Sequence, residues 1–157
     1  MEEDKSEFSF ADRYKLVKKN TADLKNVTVL PSGKFIISSV TFDEYFGKSG
    51  TSEEQAAEQD VSLDLLIFAA GIAPELSIKT RFVGQEPFDP VTRHYNEEMK
   101  KILPEYGCEV VEIPRLEKEG GAVSASLVRK LLKEWDFEGI GKIVPKATLK
   151  FLLSIYA

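Results

Sequence analysis

The segment FVGQEPFDPVTRHYN, residues 82–96, places a glycine, an acid and an arginine where a strand pattern changes to a helix pattern. Glycine at such a joint lets the backbone turn sharply or come close to a ligand. An arginine just beyond the joint can neutralise a negatively charged ligand and hydrogen-bond its oxygens. Gly84, Glu86 and Arg93 therefore form the first candidate ligand-binding turn.

A second loop carries the chemistry of a phosphate site more fully. Gly120 and Gly121 allow the backbone to bend freely or to approach a ligand closely. Ser124 and Ser126 are both suited to cap the N-terminus of a helix. That helix offers unpaired backbone N–H groups and the positive end of its dipole, and Arg129 follows one turn later. Together these groups predict a phosphate-binding cradle.

Each of these residues also has a plain structural explanation. A serine before a helix is usually only a cap, Gly84 is a common kind of turn glycine, and Glu86 is typical of a solvated loop acid. Arg93 and His94 suit an exposed helix surface, and Cys108 suits a small buried apolar side chain. The phosphate interpretation is favoured because two independent loops with suitable chemistry end on one edge of the predicted sheet.

The elements that must position both loops follow from the apolar pattern of the chain. Short apolar runs alternate with helical patterns, which is typical of an α/β fold whose mostly parallel sheet is covered on both faces. The predicted strands are residues 27–31, 34–39, 80–84 and 108–113. The predicted helices are residues 10–24, 62–76, 92–103, 124–135 and 145–157, with Gly71 and Pro74 expected to end the second of them. Both loops then lie at the carboxyl edge of the sheet, where ligands bind in such folds.

The composition bounds the kinds of protein that the chain can be. Its 157 residues, 43% hydrophobic and 30% charged, predict one compact domain spanning residues 1–157. A net charge of −5 argues against binding to nucleic acid or to an anionic membrane surface, which need a clustered positive field. Cys108 is the single cysteine, so an intrachain disulfide is excluded, and no protein metal site is predicted. Without a signal peptide or an apolar run of about 18 residues, we expect a cytoplasmic location.

Several segments together resemble a known family. The run VSASLVRKLL, residues 123–132, resembles the phosphate motif of the nucleotidyltransferase superfamily, which includes pantetheine-phosphate and nicotinamide-nucleotide adenylyltransferases. The segments PSGKFIISS, FVGQEPFDPVTRHYN and SASLVR are, more narrowly, similar to the carboxyl-terminal domain of citrate lyase ligase. The similar stretches extend from about Phe8 to Pro145. The resemblance implies a Rossmann-like nucleotidyltransferase fold with α/β/α layers.

The resemblance also implies an activity, that of an ATP-dependent, AMP-forming acid–thiol ligase. In this reaction acetate attacks the α-phosphate of ATP to give acetyl adenylate and pyrophosphate. The acetyl group then passes to the prosthetic-group thiol on the acyl-carrier subunit of citrate lyase, which serves citrate fermentation in bacteria. ATP and Mg²⁺ are the implied cofactors, with Mg²⁺ bridging the phosphates. Two other functions stay open: an adenylyltransferase of the pantetheine-phosphate type, and a non-catalytic docking domain for a lyase subunit.

The resemblance assigns roles to the residues of both loops. It implies that the turn at Gly84 approaches the nucleotide, that Glu86 holds the ribose or a polar edge of the base, and that Arg93 meets phosphate. The residues that match the phosphate motif, and are thereby implied to bind the β- and γ-phosphates, are Ser124, Ser126 and Arg129. Such a site acts by positioning the phosphates and by cancelling their negative charge as pyrophosphate leaves.

One motif of the superfamily has no counterpart in this sequence. Its His-x-Gly-His, at the end of the first strand, is absent, and the single histidine, His94, lies in a predicted helix. The order of segments in the family therefore leads us to expect a chain that is N-terminally incomplete, truncated at the N-terminal strand. We expect weak or no catalysis by this chain alone. We also expect open sheet edges, available for pairing with another segment or in a homo-oligomer.

Overall fold

A computed structural model describes residue 2 and residues 7–46, 51–118 and 121–156, so that Gly120 of the second predicted loop lies outside the described residues. The chain divides into two compact units. The first unit comprises Met1–Lys5 and Pro31–Pro114, and the second comprises Ser6–Leu30 and Arg115–Ala157. The prediction that residues 1–157 form a single domain therefore stays a prediction.

Helices and short strands follow one another through the chain. The helices are α1 (Phe10–Asn20), α2 (Glu53–Ala57), α3 (Ser62–Leu66), α4 (Ala73–Glu75), α5 (Pro90–Glu105), α6 (Ala125–Lys133), α7 (Phe137–Ile143) and α8 (Lys146–Tyr156). Short 3-10 turns cover Gly33–Phe35 and Asp43–Phe46, and a π-helical segment, Ile67–Ile72, joins α3 to α4. The strands are β1 (Thr80–Gly84), β2 (Glu109–Ile113), β3 (Glu117–Lys118) and β4 (Gly121–Ala122). The structure is therefore of the mixed α/β class.

The first unit contains a small parallel sheet of two strands. β1 pairs with β2 in a register that runs from Thr80 opposite Glu109 to Gly84 opposite Ile113. The chain passes from one strand to the other through α5, because parallel neighbours need a long crossover connection. β3 and β4 form a separate antiparallel pair in the second unit. The strands predicted at residues 80–84 and 108–113 are confirmed to within one residue.

Helix α5 begins at Pro90, two residues before the predicted start at residue 92. Asp89 is the N-cap, and its Oδ1 accepts a hydrogen bond from the N–H of Thr92 at 2.7 Å. Pro90 occupies the start of the helix, where a missing N–H is tolerated. The buried side chains of α5 recur along one face of the helix: Val91, Tyr95, Asn96, Met99 and Leu103. This face packs against β2 and α3 and carries a polar residue, Asn96, into the core.

The core of the first unit is built mainly from helical residues, joined by Phe42, Val61 and Cys108 from positions between the elements. Its buried members are Phe42, Ala56, Val61, Leu65, Phe68, Ala69, Ala73, Val91, Tyr95, Met99, Leu103 and Cys108. The rings of Phe42 and Tyr95 stack with centroids 5.5 Å apart. Burial of each large apolar side chain contributes about 1.5–3 kcal/mol relative to exposure. Cys108 is 1% exposed, which agrees with the structural explanation of this cysteine.

Residues 27–31 and 34–39 do not form the two strands predicted for them. A 3-10 turn covers Gly33–Phe35, and Ile37 has a positive φ of 49°, which interrupts an extended run. The N–H of Ile37 donates to the buried carboxylate of Asp64 at 2.5 Å rather than to a neighbouring strand. The β-branched pattern of this segment did not reveal the turn, because its hydrogen-bond acceptor comes from a helix distant in sequence.

The helical run from Ser62 to Glu75 confirms the predicted span of residues 62–76 to within one residue, but Gly71 does not end it and Pro74 lies one residue before its end. The π-helical segment Ile67–Ile72 carries the helix past Gly71, and α4 continues it to Glu75. Pro74 lies at the start of α4, where the absence of a backbone N–H is tolerated. The π-helical segment thus contains Gly71, whereas Pro74 is tolerated because of its place in the first turn of α4.

The second unit is a small helical cluster with the β3–β4 pair. Its buried apolar residues are Leu132, Ile140 and Leu152, one each from α6, α7 and α8. Helix α1 is linked to α8 by Asn20, whose Nδ2 donates to Oγ1 of Thr148 at 2.9 Å. Helix α7 was not predicted, although Asp136 caps it by accepting a hydrogen bond from the N–H of Gly139 at 2.8 Å. Its seven residues, with two glycines, are too few to show a helical period.

Candidate functional site

The predicted site residues lie in two different units. Those of the first unit are Gly84, Glu86 and Arg93, and those of the second are Ser124, Ser126 and Arg129. The geometry of each loop is therefore defined within the unit to which that loop belongs.

The turn that follows β1, residues 84–89, is held by both of its neighbours in the first unit, and we name it the Gly84 turn. Asn96 of α5 donates a hydrogen bond through Nδ2 to the carbonyl of Gly84 at 3.0 Å. The N–H of Gln85 donates to the carbonyl of Ile113, at the end of β2, at 2.9 Å. One helix and one strand thus fix the start of this turn.

Neither the backbone nor any neighbour requires a glycine at position 84. Gly33 and Gly107 have positive φ values of 62° and 75°, whereas Gly84 is not among the glycines in that conformation. A Cβ added to Gly84 would meet no atom within 4 Å. The residue is exposed, so the space beside its Cα is open to a ligand. This geometry is compatible with the close approach predicted for a nucleotide.

Glu86 is half-buried and its carboxylate is used inside the Gly84 turn. Oε1 accepts hydrogen bonds from the N–H groups of Phe88 and Asp89, at 3.1 and 3.2 Å. Asp89 in turn caps α5. Glu86 therefore shapes the loop that leads into the helix, and its predicted contact with ribose or base stays a prediction.

Arg93 is paired with an acid of the same unit. Its Nη2 forms an ion pair with Oε1 of Glu53, and its Nη1 donates to the carbonyl of Pro87 at 3.4 Å. Glu53 lies in the first turn of α2, which begins with a capping box formed by Ser52 and Gln55. A phosphate that bound Arg93 would have to compete with this carboxylate.

The start of α6 presents a different arrangement in the second unit, and we name Ser124–Arg129 the α6 N-terminus. Ser124 is the N-cap, with Oγ accepting a hydrogen bond from the N–H of Leu127 at 3.1 Å. The N–H groups of Ala125 and Ser126 lie at the first two helical positions and have no intrahelical acceptor. Arg129 is exposed and donates through Nη2 to Oγ of Ser126 at 3.0 Å.

Arg129 differs from Arg93 in its electrostatic surroundings. Within residues 2, 7–46, 51–118 and 121–156, Arg129 forms no ion pair with a carboxylate. Its guanidinium stands on the first turns of a helix whose N-terminus carries the positive end of the dipole. Exposed N–H groups, serine hydroxyls and an unneutralised guanidinium are the groups that bind phosphate oxygens in proteins.

The sequence analysis missed a buried polar cluster around Asp64. This side chain has 0% exposure and accepts hydrogen bonds from the N–H of Ile37, from Oγ1–H of Thr41 at 2.7 Å and from the hydroxyl of Tyr95 at 2.5 Å. A buried carboxylate is tolerated only when such donors surround it. The aspartate lies inside an apolar run, LDLLIF, which is the one signal in the sequence for its unusual position.

Tyr95 connects this cluster to β1. Burial raises the pKa of the Tyr95 hydroxyl, the Arg81 guanidinium opposes that shift, and the Asp64 carboxylate adds to it. Arg81 also lies over the ring of Phe68, with Cζ 4.2 Å from the ring centroid. Burial and the neighbouring Asp64 carboxylate therefore both favour the protonated phenol, which donates its hydrogen bond to Asp64.

His94 lines a cavity of about 230 Å³ between α5 and the connection from α2 to α3. Its Nε2 lies 3.1 Å from the backbone carbonyl of Gln59. The cavity is also lined by Asp60, whose pKa is lowered by hydrogen bonds from Ser62. His94 therefore has a structural contact in the first unit and is partly buried, whereas the plain explanation placed it on an exposed helix surface.

In the described parts of the chain, no group of three or more histidine, cysteine, aspartate or glutamate side chains is arranged to hold a metal ion. The same ranges contain no helix that is both long enough and apolar enough to cross a membrane.

Comparisons with known proteins support the resemblance noted in the sequence. The family model described as "Citrate lyase ligase C-terminal domain" matches residues 1–152. A [citrate [pro-3S]-lyase] ligase of Klebsiella pneumoniae is 41% identical over 161 residues, covering 99% of this chain and 46% of the relative. The proteins of the same name from Escherichia coli K12 and Haemophilus influenzae are 39% and 36% identical, and each alignment covers 45% of the relative.

The chain thus spans about half the length of the curated relatives that it matches. No solved structure matches it.

Proposed function

Because the chain belongs to the citrate lyase ligase C-terminal domain family, we propose that it is the nucleotide-binding part of an ATP-dependent, AMP-forming ligase. The proposed substrate is acetate, and the proposed acceptor is the prosthetic-group thiol on the acyl-carrier subunit of citrate lyase. We propose a Rossmann-like nucleotidyltransferase fold for the protein. We also propose that it is located in the cytoplasm. The small parallel sheet with its α5 crossover is compatible with this fold.

The proposal that the chain binds ATP is supported mainly by the arrangement of side chains at the α6 N-terminus. Ser124 caps the helix, Ser126 exposes its hydroxyl, and Arg129 has no carboxylate partner among the described side chains. A triphosphate supplies the negative charge that this end of the helix lacks. The protein has a net charge of −5, so a positive site of this kind is local rather than a property of the whole surface.

In the proposed reaction, the groups of the α6 N-terminus have two roles: they orient the phosphates and they balance negative charge. A carboxylate oxygen of acetate attacks the α-phosphorus, the bond to the β-phosphate bridging oxygen breaks, and pyrophosphate leaves. The thiol then loses its proton to water as its sulfur attacks the acetyl carbon, the bond from that carbon to the phosphate oxygen of AMP breaks, and AMP leaves with the electron pair of that bond. The serine hydroxyls, the helix N–H groups and Arg129 would orient the β- and γ-phosphates and balance the charge that builds on pyrophosphate.

Mg²⁺ would fit this site as a partner of the phosphates rather than of the protein. Mg²⁺ binds oxygen ligands, keeps several waters and is commonly held through substrate phosphates. The described side chains form no cluster of three or more acidic, histidine or cysteine groups that would replace those ligands. When bound, the ion supplies charge neutralisation, while Arg129 and the helix N-terminus hold the remaining phosphate oxygens.

A calorimetric titration of the chain with ATP and Mg²⁺ tests the proposal. We expect saturable binding that weakens by about tenfold or more in Arg129→Ala, because a charged hydrogen bond is worth about 1.5–3 kcal/mol. Lys130→Ala is the matched control, since Lys130 is the adjacent exposed cation of the same helix, and CTP tests base selectivity. A folded chain that does not bind ATP, or binds it equally well without Arg129, contradicts the proposal.

A separate assay addresses catalysis. The only histidine, His94, lies in α5 and contacts Gln59, so we expect little AMP formation by this chain alone. Robust acetate-dependent AMP formation by the purified chain would contradict that expectation. Dependence on a phosphorylated acceptor in place of acetate would favour an adenylyltransferase. Binding of a citrate lyase subunit without any ATP binding would favour a docking domain.

A further inference from the structure

Asn96 is a polar residue in an otherwise apolar stripe of α5. It is 5% exposed and lies among the buried positions Val91, Tyr95, Met99 and Leu103. A buried amide stabilises a core only if its hydrogen-bonding groups are satisfied, so an apolar side chain would normally be preferred there. The amide of Asn96 has a specific partner, because its Nδ2 donates to the carbonyl of Gly84 at 3.0 Å.

This hydrogen bond completes the anchoring of a single peptide group. The carbonyl of Gly84 and the N–H of Gln85 belong to the same peptide plane, and the N–H donates to the carbonyl of Ile113 at 2.9 Å. Asn96 holds one end of that plane from α5, and Ile113 holds the other end from β2. A peptide plane bonded at both ends has a fixed orientation about its Cα atoms.

The fixed plane determines which side of Gly84 is available. Both polar groups of the Gly84–Gln85 peptide are used inside the unit, whereas the position of a Cβ on Gly84 is open, with no atom within 4 Å. A ligand that approaches the backbone here meets the Cα side of the glycine rather than its carbonyl. Rotation of this peptide would turn the carbonyl oxygen and would change the shape of that approach.

We propose that Asn96 is a positioning residue for the nucleotide, which acts by holding the Gly84 carbonyl in the orientation that leaves the Cα side of Gly84 open. The inference rests on the proposed function, since it requires that the Gly84 turn contact ATP. Asn96 itself touches no substrate. Its amide acts through the peptide that it holds.

The test measures ATP affinity and stability together in the whole 157-residue chain. Asn96→Asp keeps the shape of the side chain but replaces the donor with an oxygen that repels the Gly84 carbonyl, and Asn96→Ala removes the contact. Asn20→Ala is the matched control, because it removes an asparagine hydrogen bond, to Thr148, in the other unit. Calorimetry with ATP and Mg²⁺ gives the dissociation constant, and circular dichroism verifies folding at the temperature used.

We expect both Asn96 variants to weaken ATP binding about tenfold while folded, and Asn20→Ala to bind as the wild type does. The amide resonance of Gln85 should shift in the Asn96 variants without ATP, which a general loss of stability would not produce. If Asn96→Ala does not fold, Asn96→Ser, which keeps a short donor, is compared with Asn96→Asp, and the serine variant should retain more affinity.

Wild-type affinity in a folded Asn96→Asp or Asn96→Ala chain overturns the inference but leaves the proposed function intact. An unchanged Gln85 resonance in those variants also overturns it, because the peptide would then not depend on Asn96. Absence of ATP binding by the wild-type chain overturns the proposed function and, with it, this inference.

Discussion

The Gly84 turn and the α6 N-terminus both have the residue types of a phosphate site. They differ in whether their polar side chains are bonded to other groups of the protein. In the Gly84 turn, Glu86 and Asn96 bond to the backbone and Arg93 pairs with Glu53. At the α6 N-terminus, Arg129 bonds only to the hydroxyl of Ser126 among the described residues, and both side chains are exposed. One loop is organised by internal hydrogen bonds, and the other keeps its positive groups available.

This contrast separates two contributions to ligand binding. A loop whose polar groups are hydrogen-bonded within the protein has a fixed shape, which lowers the entropy cost of binding. An unneutralised helix terminus offers charge, which attracts an anion and stabilises charge that develops on it. Substitutions in the Gly84 turn should therefore act mainly on the stability and shape of the first unit. Substitutions of Ser126 or Arg129 at the α6 N-terminus should act mainly on affinity.

The largest effect is expected from Asp64, the buried acceptor of the first unit. Asp64→Ala leaves the N–H of Ile37 and the hydroxyls of Thr41 and Tyr95 buried without their acceptor. We expect a loss of about 3–5 kcal/mol in the free energy of unfolding, measured by urea denaturation. Asp60→Ala, which removes a carboxylate of an exposed residue close by, should cost far less. Equal losses in the two variants would contradict the role given to the Asp64 cluster.

A pH-dependent effect is expected from Tyr95 of the same cluster. Its pKa is raised above 10.0 in the folded state, chiefly by burial, so the folded protein keeps this proton when the unfolded chain has lost it. This contribution to stability is complete below pH 10 and is lost as the pH rises above it. Unfolding measured from pH 8 to 11 should therefore show a decline that is shallower in Tyr95→Phe. Tyr106→Phe, at a half-exposed tyrosine, should keep the wild-type slope.

A smaller effect is expected from the cap of α6. Ser124→Ala should cost about 1 kcal/mol of stability, whereas Ser124→Gly should cost only a few tenths, because glycine is a better cap than alanine. If the Ser124 hydroxyl also contacts phosphate, both variants should bind ATP more weakly. Calorimetry and thermal unfolding on the same samples separate the two roles. Normal ATP affinity in Ser124→Gly would leave Ser124 as a cap only.

The smallest effect is expected from the ion pair of the Gly84 turn. Glu53→Gln releases Arg93 from its carboxylate, so any contribution of Arg93 to phosphate binding should increase. Exposed ion pairs are worth about 0–1 kcal/mol, so we expect ATP to bind at most about fivefold more tightly, and less so at high salt. Glu54→Gln, on the same helix, is the control. Unchanged affinity in Glu53→Gln would remove Arg93 from the proposed site.

The parts of the fold that sequence reasoning found depend on signals close together in the chain. The run TRFVG is a strand, and the helix predicted at residues 92–103 is the central part of α5. Ser124 was expected as a helix cap and is one. These features require only neighbours a few residues away, so the local sequence is sufficient to indicate them.

The features that were missed depend on partners distant in sequence. Ile37 was placed in a strand, but it turns because Asp64, from another element, accepts its N–H. Asn96 was not recognised as a site residue, because its partner is the backbone of Gly84. The availability of an arginine is equally non-local, since the acid that pairs with Arg93 comes from α2.

The sequence by itself determined the mixed α/β class, the family of the chain and the residues whose types suit a phosphate site, because these follow from local pattern and residue type. Only the tertiary structure decided which of those residues remain available: it satisfied Glu86, paired Arg93 and left Arg129 without a carboxylate among the described residues. The physical reason is that hydrogen bonding and charge neutralisation depend on distance in space. Residues that are far apart in the sequence come close enough to bond or to pair only when the chain folds.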